Sequence, residues 1–268
     1  MADASDHCFV VPAYGESPYL DACLRSLAAQ ETPTRVLIAT STPNLHIRGL
    51  ADAHGLPLHI NPQRGGIGSD WNFALSLADA PWVTLAHQDD IYLPRFVALT
   101  LQAISADPDA VLAFTRYQEI EGETLRRSSR LIGIKHALLE LGFAGGSRAA
   151  TRVAKTNVLR FGCAIACPAV TINAAASRLR FRTDLEVDLD WAAWLDLARA
   201  PGSFVYIREP LMRHRVHADS GTSAAIDTGR RLAEDEALLR SLWPAAIARA
   251  ITATYRIAYR SNRVPTEP

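Results

Sequence analysis

The sequence has 268 residues, of which 49% are hydrophobic and 21% charged, and its 28 basic side chains equal its 28 acidic ones in number. This composition excludes a disordered chain, and the balanced charge argues against a nucleic-acid-binding protein. No apolar stretch reaches the roughly 18 residues of a membrane-spanning helix. The polar start is unlike a signal peptide, and the four cysteines form no CxxC pair. We therefore expect a globular, cytoplasmic protein with reduced cysteines.

The first half of the chain alternates short apolar strands with helices. The pattern predicts strands at 8–11, 36–39, 58–60, 82–86 and 111–115, and helices at 19–29, 69–77 and 94–105. Strands and helices that alternate over short connections form a mostly parallel sheet flanked by helices, whose ligands bind at the carboxyl ends of the strands. Polar residues follow three of these ends, at 13–16, 40–42 and 87–90. The sequence therefore predicts an α/β fold with a ligand site there.

The second half is less regular and more basic. The pattern predicts helices at 126–141, 147–161 and 188–200, a strand at 204–207, and a helical C-terminal region at 232–259 that is interrupted near Pro244. Residues 116–182 carry 12 basic and 4 acidic side chains, a balance of +8. Such a segment could attract phosphates or an acidic surface, whereas internal pairing on a solvated face would explain it equally well.

The stretch 245–263 intersperses four arginines with apolar residues at helical spacing. A basic amphipathic helix of this kind could rest on the inner face of an anionic membrane. Packing onto the domain, or onto a second copy in a homodimer, is the simpler interpretation.

The strongest local signal is Gln88-Asp89-Asp90, directly after a predicted strand. Two adjacent carboxylates at a strand end are costly if they are buried without partners. A divalent cation bound through oxygen ligands would explain them, since Mg²⁺ sites commonly combine carboxylates with substrate phosphates. The alternative is a solvated turn, where aspartate is common.

A second signal is the alternation of carboxylates at Asp184, Glu186, Asp188 and Asp190, just before a predicted helix. One of these carboxylates could act as a general base, which must lie within reach of the proton it removes. Acidic residues at a helix start are also common without any catalytic role, because they complement the helix dipole.

A third signal is the run Arg213-His214-Arg215-Val216-His217, which follows the predicted strand at 204–207. Arginine can bind phosphate through two parallel hydrogen bonds, and histidine can bind a metal. A basic surface loop is the alternative interpretation.

Taken in order, these motifs resemble those of the family 2 glycosyltransferases with the GT-A fold. The matching segments are 10–17 (VVPAYGES), 20–30 (LDACLRSLAAQ), 70–75 (DWNFAL), 87–94 (HQDDIYLP), 189–195 (LDWAAWL) and 215–217 (RVH). The resemblance implies a GT-A domain at 1–223, with a nucleotide-sugar-binding half at 1–115 and an acceptor half at 116–223. Residues 224–268 would form a C-terminal helical extension.

The resemblance also implies an inverting transfer of a sugar from a nucleotide-diphosphate-sugar to an acceptor hydroxyl, with Mg²⁺ or Mn²⁺ as cofactor. It places the metal at Asp89, Asp90 and His217, and the base at Asp190 or, alternatively, Asp188. The implied contacts of the nucleotide-sugar are Pro12, Ala13, Tyr14, Glu16, Thr40, Ser41, Arg64, Asp70, Gln88, Asp89 and Arg215. Surface polysaccharide or glycoconjugate synthesis would be the setting, and the unknown acceptor could be acidic or lipid-linked.

The sequence departs from the family pattern in three places. Thr40-Ser41-Thr42 replaces an acidic residue after the second strand, His87 or Gln88 replaces the first acidic residue of the DXD motif, and Leu189 replaces a glutamate beside Asp190. These changes leave a metal ligand and a base. They also define the alternative hypothesis, a non-catalytic nucleotide-sugar-binding or scaffold protein with a decayed site.

Overall fold

The computed structural model of the chain describes residues 2–126, 130–217 and 229–261. The strands, in chain order, are β1 His7–Pro12, β2 Arg35–Thr40, β3 Leu58–Ile60, β4 Trp82–Leu85, β5 Ile91–Tyr92, β6 Ala110–Glu121, β7 Thr124–Leu125, β8 Arg148–Ala149, β9 Val170–Asn173 and β10 Ser203–Arg215. The helices are α1 Leu20–Ala28, α2 Leu45–His54, α3 Gly66–Ser76, α4 Phe96–Ser105, α5 Arg130–Phe143, α6 Arg152–Leu159, α7 Ala174–Ser177, α8 Leu189–Arg199, α9 Arg230–Arg240 and α10 Ala245–Ser261.

The strands form one sheet in the order β3-β2-β1-β4-β9-β6-β10-β5, with β7 paired to β6 and β8 to β10. The ladders β3-β2-β1-β4 and β6-β10 are parallel, whereas β9 runs antiparallel between β4 and β6. The central strand β1 is apolar on both faces, and Cys8 to Val11 are fully buried there. A strand buried on both faces must be covered by helices on both sides. The prediction of a mainly parallel sheet flanked by helices is confirmed.

Several predicted elements differ in extent. The helix expected at 147–161 is wrong at its start, because 148–149 pair with β10 and the helix begins after Thr151, whose hydroxyl accepts the N–H of Ala154 over 3.1 Å. The strand expected at 204–207 continues to Arg215, so residues 213–215 belong to a strand rather than a loop. Helix α2 and strand β9 were not predicted. The C-terminal helices and the break near Pro244 agree with the expectation.

The predicted division of the chain at residue 115 falls inside β6, and the sheet takes strands from both halves. The predicted boundary at 223 lies outside the described residues. Among the helices of the described residues, none has both the length and the apolar character needed to cross a membrane.

Helix α8 is largely buried in the core, and hydrogen bonds from its tryptophans hold it in place. The indole N–H groups of Trp191 and Trp194 donate to the carbonyls of Leu159 and Ile165, over 3.1 and 3.2 Å. Both tryptophans are fully buried. Buried indole groups with satisfied N–H donors fix a helix in register as well as in place. The first turn of α8 is therefore presented at a fixed position beside the carboxyl ends of the strands.

Candidate active site

The loop after β1 is fixed to the loop after β4. Pro12 ends β1, and the N–H of Ala13 donates to the carbonyl of Ala39 over 2.8 Å. The side-chain amide of Gln88 bonds the main chain of Tyr14 in both directions, each over 3.0 Å. Tyr14 and Glu16 are exposed, so their side chains are open to a ligand at this edge of the sheet.

The same loop is also fastened to the end of β2. The N–H of Gly15 donates to the hydroxyl of Thr42 over 2.8 Å, and the amide of Asn44 donates to the carbonyl of Gly15 over 2.9 Å. Gly15 has a φ of +63°, a left-handed conformation that glycine adopts without strain. The hydroxyl of the buried Thr40 accepts the N–H of Thr42 over 3.0 Å. These hydroxyls and amides therefore order the loop where the sequence lacks an acidic residue.

A carboxylate nevertheless lies beside the end of β2, and α3 supplies it. Asp70 accepts hydrogen bonds from the hydroxyl of Ser41 over 2.8 Å and from the amide of Asn61 over 2.9 Å. The exposed Arg64 donates to the carbonyl of Ser41 over 3.2 Å. The structure thus brings Ser41, Arg64 and Asp70 together around one end of the sheet.

The loop after β4, residues 86–90, which we call the metal loop, forms a cluster that could hold a metal ion. One ligand atom from each of His87, Asp89 and Asp90 lies within 4.8 Å of the others. Nε2 of His87 and Oδ2 of Asp90 are buried without a hydrogen-bond partner among the described residues. Buried polar atoms of this kind are costly unless something binds them. An imidazole with two carboxylates offers ligand atoms that a divalent cation such as Mn²⁺ or Mg²⁺ can use, so these residues fit a divalent cation.

Residues of strand β10 form hydrogen bonds with this cluster and hold it in place. Oδ1 of Asp90 accepts the N–H of Arg215 over 2.9 Å and lies 3.0 Å from Nδ1 of His214. The side chain of Arg215 is only 1% exposed, and its Nε donates to the carbonyl of Asp89 over 3.0 Å. Arg215 was predicted to contact the nucleotide-sugar, whereas here its guanidinium contacts the main chain of the metal loop and lies 4.4 Å from the ring of Tyr19.

The predicted metal ligand His217 lies against another predicted ligand. Its Nε2 is 2.9 Å from Oδ2 of Asp89. Burial opposes ionisation of Asp89, but this hydrogen bond and the charges of His87 and His214 lower its pKa to about 2. Burial likewise opposes the charged form of His214, but Asp90 and Asp89 raise its pKa to about 9. Asp89 therefore keeps its negative charge and His214 its positive charge at neutral pH.

The predicted base, Asp190, lies in the first turn of α8. Its Oδ1 accepts the N–H of Trp191 over 2.7 Å, and the thiol of Cys163 lies 3.7 Å from its Oδ2. Burial raises the pKa of Asp190, against the effect of the Trp191 N–H and of the nearby Arg231 and Lys135. A raised pKa suits a general base, whose best value lies near the working pH.

Asp190 also lies close enough to His87 for each charge to shift the pKa of the other side chain. The first turn of α8 and the loop after β4 thus lie near each other. The sequence predicted each of the two segments, and the structure places them together.

Asp188 is two residues earlier and far less accessible, with 2% of the residue exposed. Burial and the neighbouring carboxyl of Asp235 raise the pKa of Asp188 well above its usual range, with Arg231 acting in the opposite direction and Asp190 in the same one. A carboxyl that is buried and protonated near neutral pH is poorly suited to accept a proton from a substrate. Asp190 is therefore the better placed of the two candidate bases.

The raised pKa of Asp188 predicts a pH-dependent stability. The folded state binds this proton more tightly than the unfolded chain, so the free energy of unfolding falls as pH rises above about 4. When the pH rises from 5 to 8, we expect the free energy of unfolding to fall by at least about 1 kcal/mol more in the unsubstituted protein than in Asp188→Asn. Urea unfolding at both pH values measures the difference, with the exposed Asp184→Asn as the control. Equal losses in Asp188→Asn and the unsubstituted protein would contradict the assignment.

Two side chains of the site were not predicted to belong to it. The indole of Trp71 packs against the ring of His87 and against Phe181, with centroids 5.0 and 4.9 Å apart. Asn72 bonds the main chain of Phe181 in both directions, each over 2.8 Å. Both residues stand in the 70–75 motif, so that motif was the available signal. They connect the metal loop to the segment that leads to α8.

Comparison with solved structures identifies the fold as that of the GT-A glycosyltransferases. S. aureus TarS 1–349 in complex with UDP-GlcNAc superimposes with a TM-score of 0.63 at 15% identity, over 96% of this chain and 74% of that one. The mannosyltransferase PcManGT from Pyrobaculum calidifontis, in complex with GDP-Man and Mn²⁺, gives 0.61 at 15% identity, over 97% and 76%. Glucosyl-3-phosphoglycerate synthase from Mycobacterium tuberculosis, with Mn²⁺ and UDP-glucose, gives 0.55 at 14% identity, over 89% and 79%.

The sequence identifies the family directly. The sequence model of Glycosyl transferase family 2 matches residues 8–166, which is more than half of the chain. The protein therefore belongs to glycosyl transferase family 2, as its motifs indicated, and this membership indicates a nucleotide-sugar glycosyltransferase. No curated protein sequence matches the chain significantly.

Proposed function

We propose that the protein is an inverting, metal-dependent glycosyltransferase in which Asp190 is the catalytic base. The observation that carries the proposal is that the carboxylate of Asp190 lies near a separate cluster of His87, Asp89 and Asp90 suited to a divalent cation. An inverting transfer needs one base for the acceptor and separate charge compensation for the leaving group. The two groups of residues match these two requirements.

The donor occupies the ends of β1, β2 and β4 in this proposal. The main chain at Ala13 and the side chains of Tyr14 and Glu16 border the nucleoside. Asp70 offers the carboxylate that the β2 end itself lacks, held by Ser41 over 2.8 Å. Structural neighbours bind UDP-sugars or GDP-mannose, and a nucleotide-diphosphate-sugar is the corresponding donor here.

The reaction follows from the placement of the base. Asp190 accepts the proton of the acceptor hydroxyl, whose oxygen attacks the anomeric carbon from the face opposite the diphosphate. The new glycosidic bond forms as the bond to the diphosphate breaks, so the configuration inverts. A divalent cation bound by Asp89, with Asp90 and His87 beside it, would offset the negative charge on the departing diphosphate. Arg215 keeps the main chain of Asp89 in place.

The acceptor in this proposal carries negative charge. Lys135 and Arg231 are close enough to Asp190 to lower its pKa, and Lys135 donates to the hydroxyl of Tyr117 over 2.9 Å. Cations beside the base would attract an acidic acceptor, in agreement with the balance of +8 over residues 116–182. A lipid-linked phosphate, presented at the inner face of a membrane during polysaccharide or glycoconjugate synthesis, has the same charge.

Calorimetric titration tests the donor site. A panel of nucleoside diphosphates and their sugars is titrated with Mn²⁺, with Mg²⁺ and with EDTA. We expect one nucleotide to bind in the presence of a cation and to lose most of its affinity in EDTA. A bound donor that releases its sugar to a hydroxyl acceptor completes the test. Binding without turnover over a broad acceptor panel would favour the scaffold alternative, and no binding at all would contradict the proposal.

A further inference from the structure

The chain entering α8 is held by a side chain from a different helix. The main-chain N–H groups of Glu186, Val187 and Asp188 donate to the carboxylate of Glu234 over 2.9, 3.0 and 3.0 Å. Asp188 stands at the N-cap position and makes no capping hydrogen bond with its own side chain. Main-chain donors around a helix start need acceptors from elsewhere. Glu234, on α9, supplies the acceptor for three of them.

Glu234 is itself held in place. Its helix buries Leu239 completely, in the same cluster that contains Trp191. At the start of α9, Arg230 forms an ion pair with Glu186. Helix α9, which carries Glu234, is thus attached both to the core and to the segment 186–188 that the carboxylate binds. A charged acceptor bonds main-chain N–H groups more strongly than a neutral one does.

Asp190 follows shortly after the segment that Glu234 holds. Asp190 lies two residues beyond Asp188, the last residue whose N–H is bonded to Glu234. The body of α8 is fixed by Trp191 and Trp194, but these side chains follow Asp190 in the helix. The segment before Asp190 has Glu234 as its anchor.

We propose that Glu234 is a positioning residue for the transfer reaction, which holds segment 186–188 so that the carboxylate of Asp190 faces the cluster of His87, Asp89 and Asp90. This inference rests on the proposed function. Glu234 touches neither donor nor acceptor in this arrangement, so its loss should affect the chemical step rather than donor binding. A displacement of about 1 Å in a reacting group can slow a reaction by about 100-fold.

The experiment compares Glu234→Ala with Glu236→Ala. Glu236 lies on the same helix and pairs with Arg240 on the surface, so it is the matched control. The assay measures nucleoside diphosphate released from the donor identified by calorimetry, with its acceptor. We expect Glu234→Ala to lower kcat about 100-fold while the KM for the donor stays within about twofold. Hydrogen exchange at the amides of 186–188 should quicken in Glu234→Ala and stay unchanged in Glu236→Ala.

Further variants separate the competing explanations. Glu234→Gln keeps the shape and one acceptor oxygen, and it carries the test if Glu234→Ala fails to fold. We expect it to restore part of kcat, and Asp190→Asn/Glu234→Ala to be no slower than Asp190→Asn alone. A folded Glu234 variant with full kcat, or one whose donor affinity falls as much as kcat, would overturn the inference. If Asp190→Asn itself keeps full kcat, the proposed base is wrong. If the Glu234 variants keep full kcat but Asp190→Asn does not, the positioning role of Glu234 is wrong and the proposed base stands.

Discussion

Asp89→Ala is expected to abolish cation-dependent binding of the donor and to lower kcat at least about 1000-fold, because several kcal/mol of charge compensation in the transition state would be lost. The carboxylate of Asp89 is held in the ionised form, with its pKa lowered to about 2. Removing it leaves His87 and Asp90 with too few ligand atoms for a hard divalent cation. Calorimetric titration of the nucleotide with Mn²⁺ and with EDTA measures the loss directly.

Two controls accompany this prediction. Asp52→Ala removes an exposed carboxylate on α2, away from the cluster, and should bind the nucleotide normally. Asp89→Asn keeps the shape of the side chain and its contact with His217, and it separates loss of charge from loss of structure. Thermal unfolding shows whether each variant is folded. Cation-dependent binding that survives in a folded Asp89→Ala would exclude Asp89 as the metal ligand.

Asp190→Asn is expected to lower kcat by about 10²–10⁴-fold, the usual contribution of a general base, while the donor dissociation constant stays unchanged. The amide keeps the size of the side chain and still accepts the N–H of Trp191, but it cannot take up the acceptor proton. Asp196→Asn is the matched control, since Asp196 lies on the same helix and pairs with Arg199 on the surface. An unchanged kcat in Asp190→Asn would remove this residue from the mechanism.

The pH profile gives the same prediction a second readout. The base must be deprotonated, and burial raises the pKa of Asp190. Activity should therefore fall on acidification at a higher pH than the roughly 3.9 of an ordinary aspartate. The residual activity of Asp190→Asn should lack this acidic limb, and a limb that persists would belong to a different group.

The parts of the fold that could be predicted from the sequence are those whose signals are local. The run from Cys8 to Val11 is apolar at every position, and this local pattern identifies a central strand without knowledge of its tertiary contacts. Asp89 and Asp190 could be proposed from the sequence because each follows or begins a recognisable element and matches a family motif. Helix α2 carried the usual signals, Asn44 as N-cap and Gly55 after its end, and could have been predicted from them.

The remaining features depend on contacts between distant residues. Strand β9 is short and antiparallel among parallel neighbours, and no pattern within four residues specifies such a pairing. The buried position of Arg215 follows from the continuation of β10 beyond Pro210, where the register with β6 shifts. Glu234 has no motif of its own, because the groups it binds lie nearly fifty residues earlier in the chain.

The fastening of the metal loop by β10 has a consequence for biosynthesis. Residues 87–90 leave the ribosome early, but their anchors at His214, Arg215 and His217 are synthesised more than 120 residues later. Until then the carboxylates of Asp89 and Asp90 lack their cationic and main-chain partners. Contacts of such long sequence separation form slowly. A nascent chain therefore acquires the proposed donor site among the last steps of folding, and a truncated chain that ends before β10 would lack a completed one.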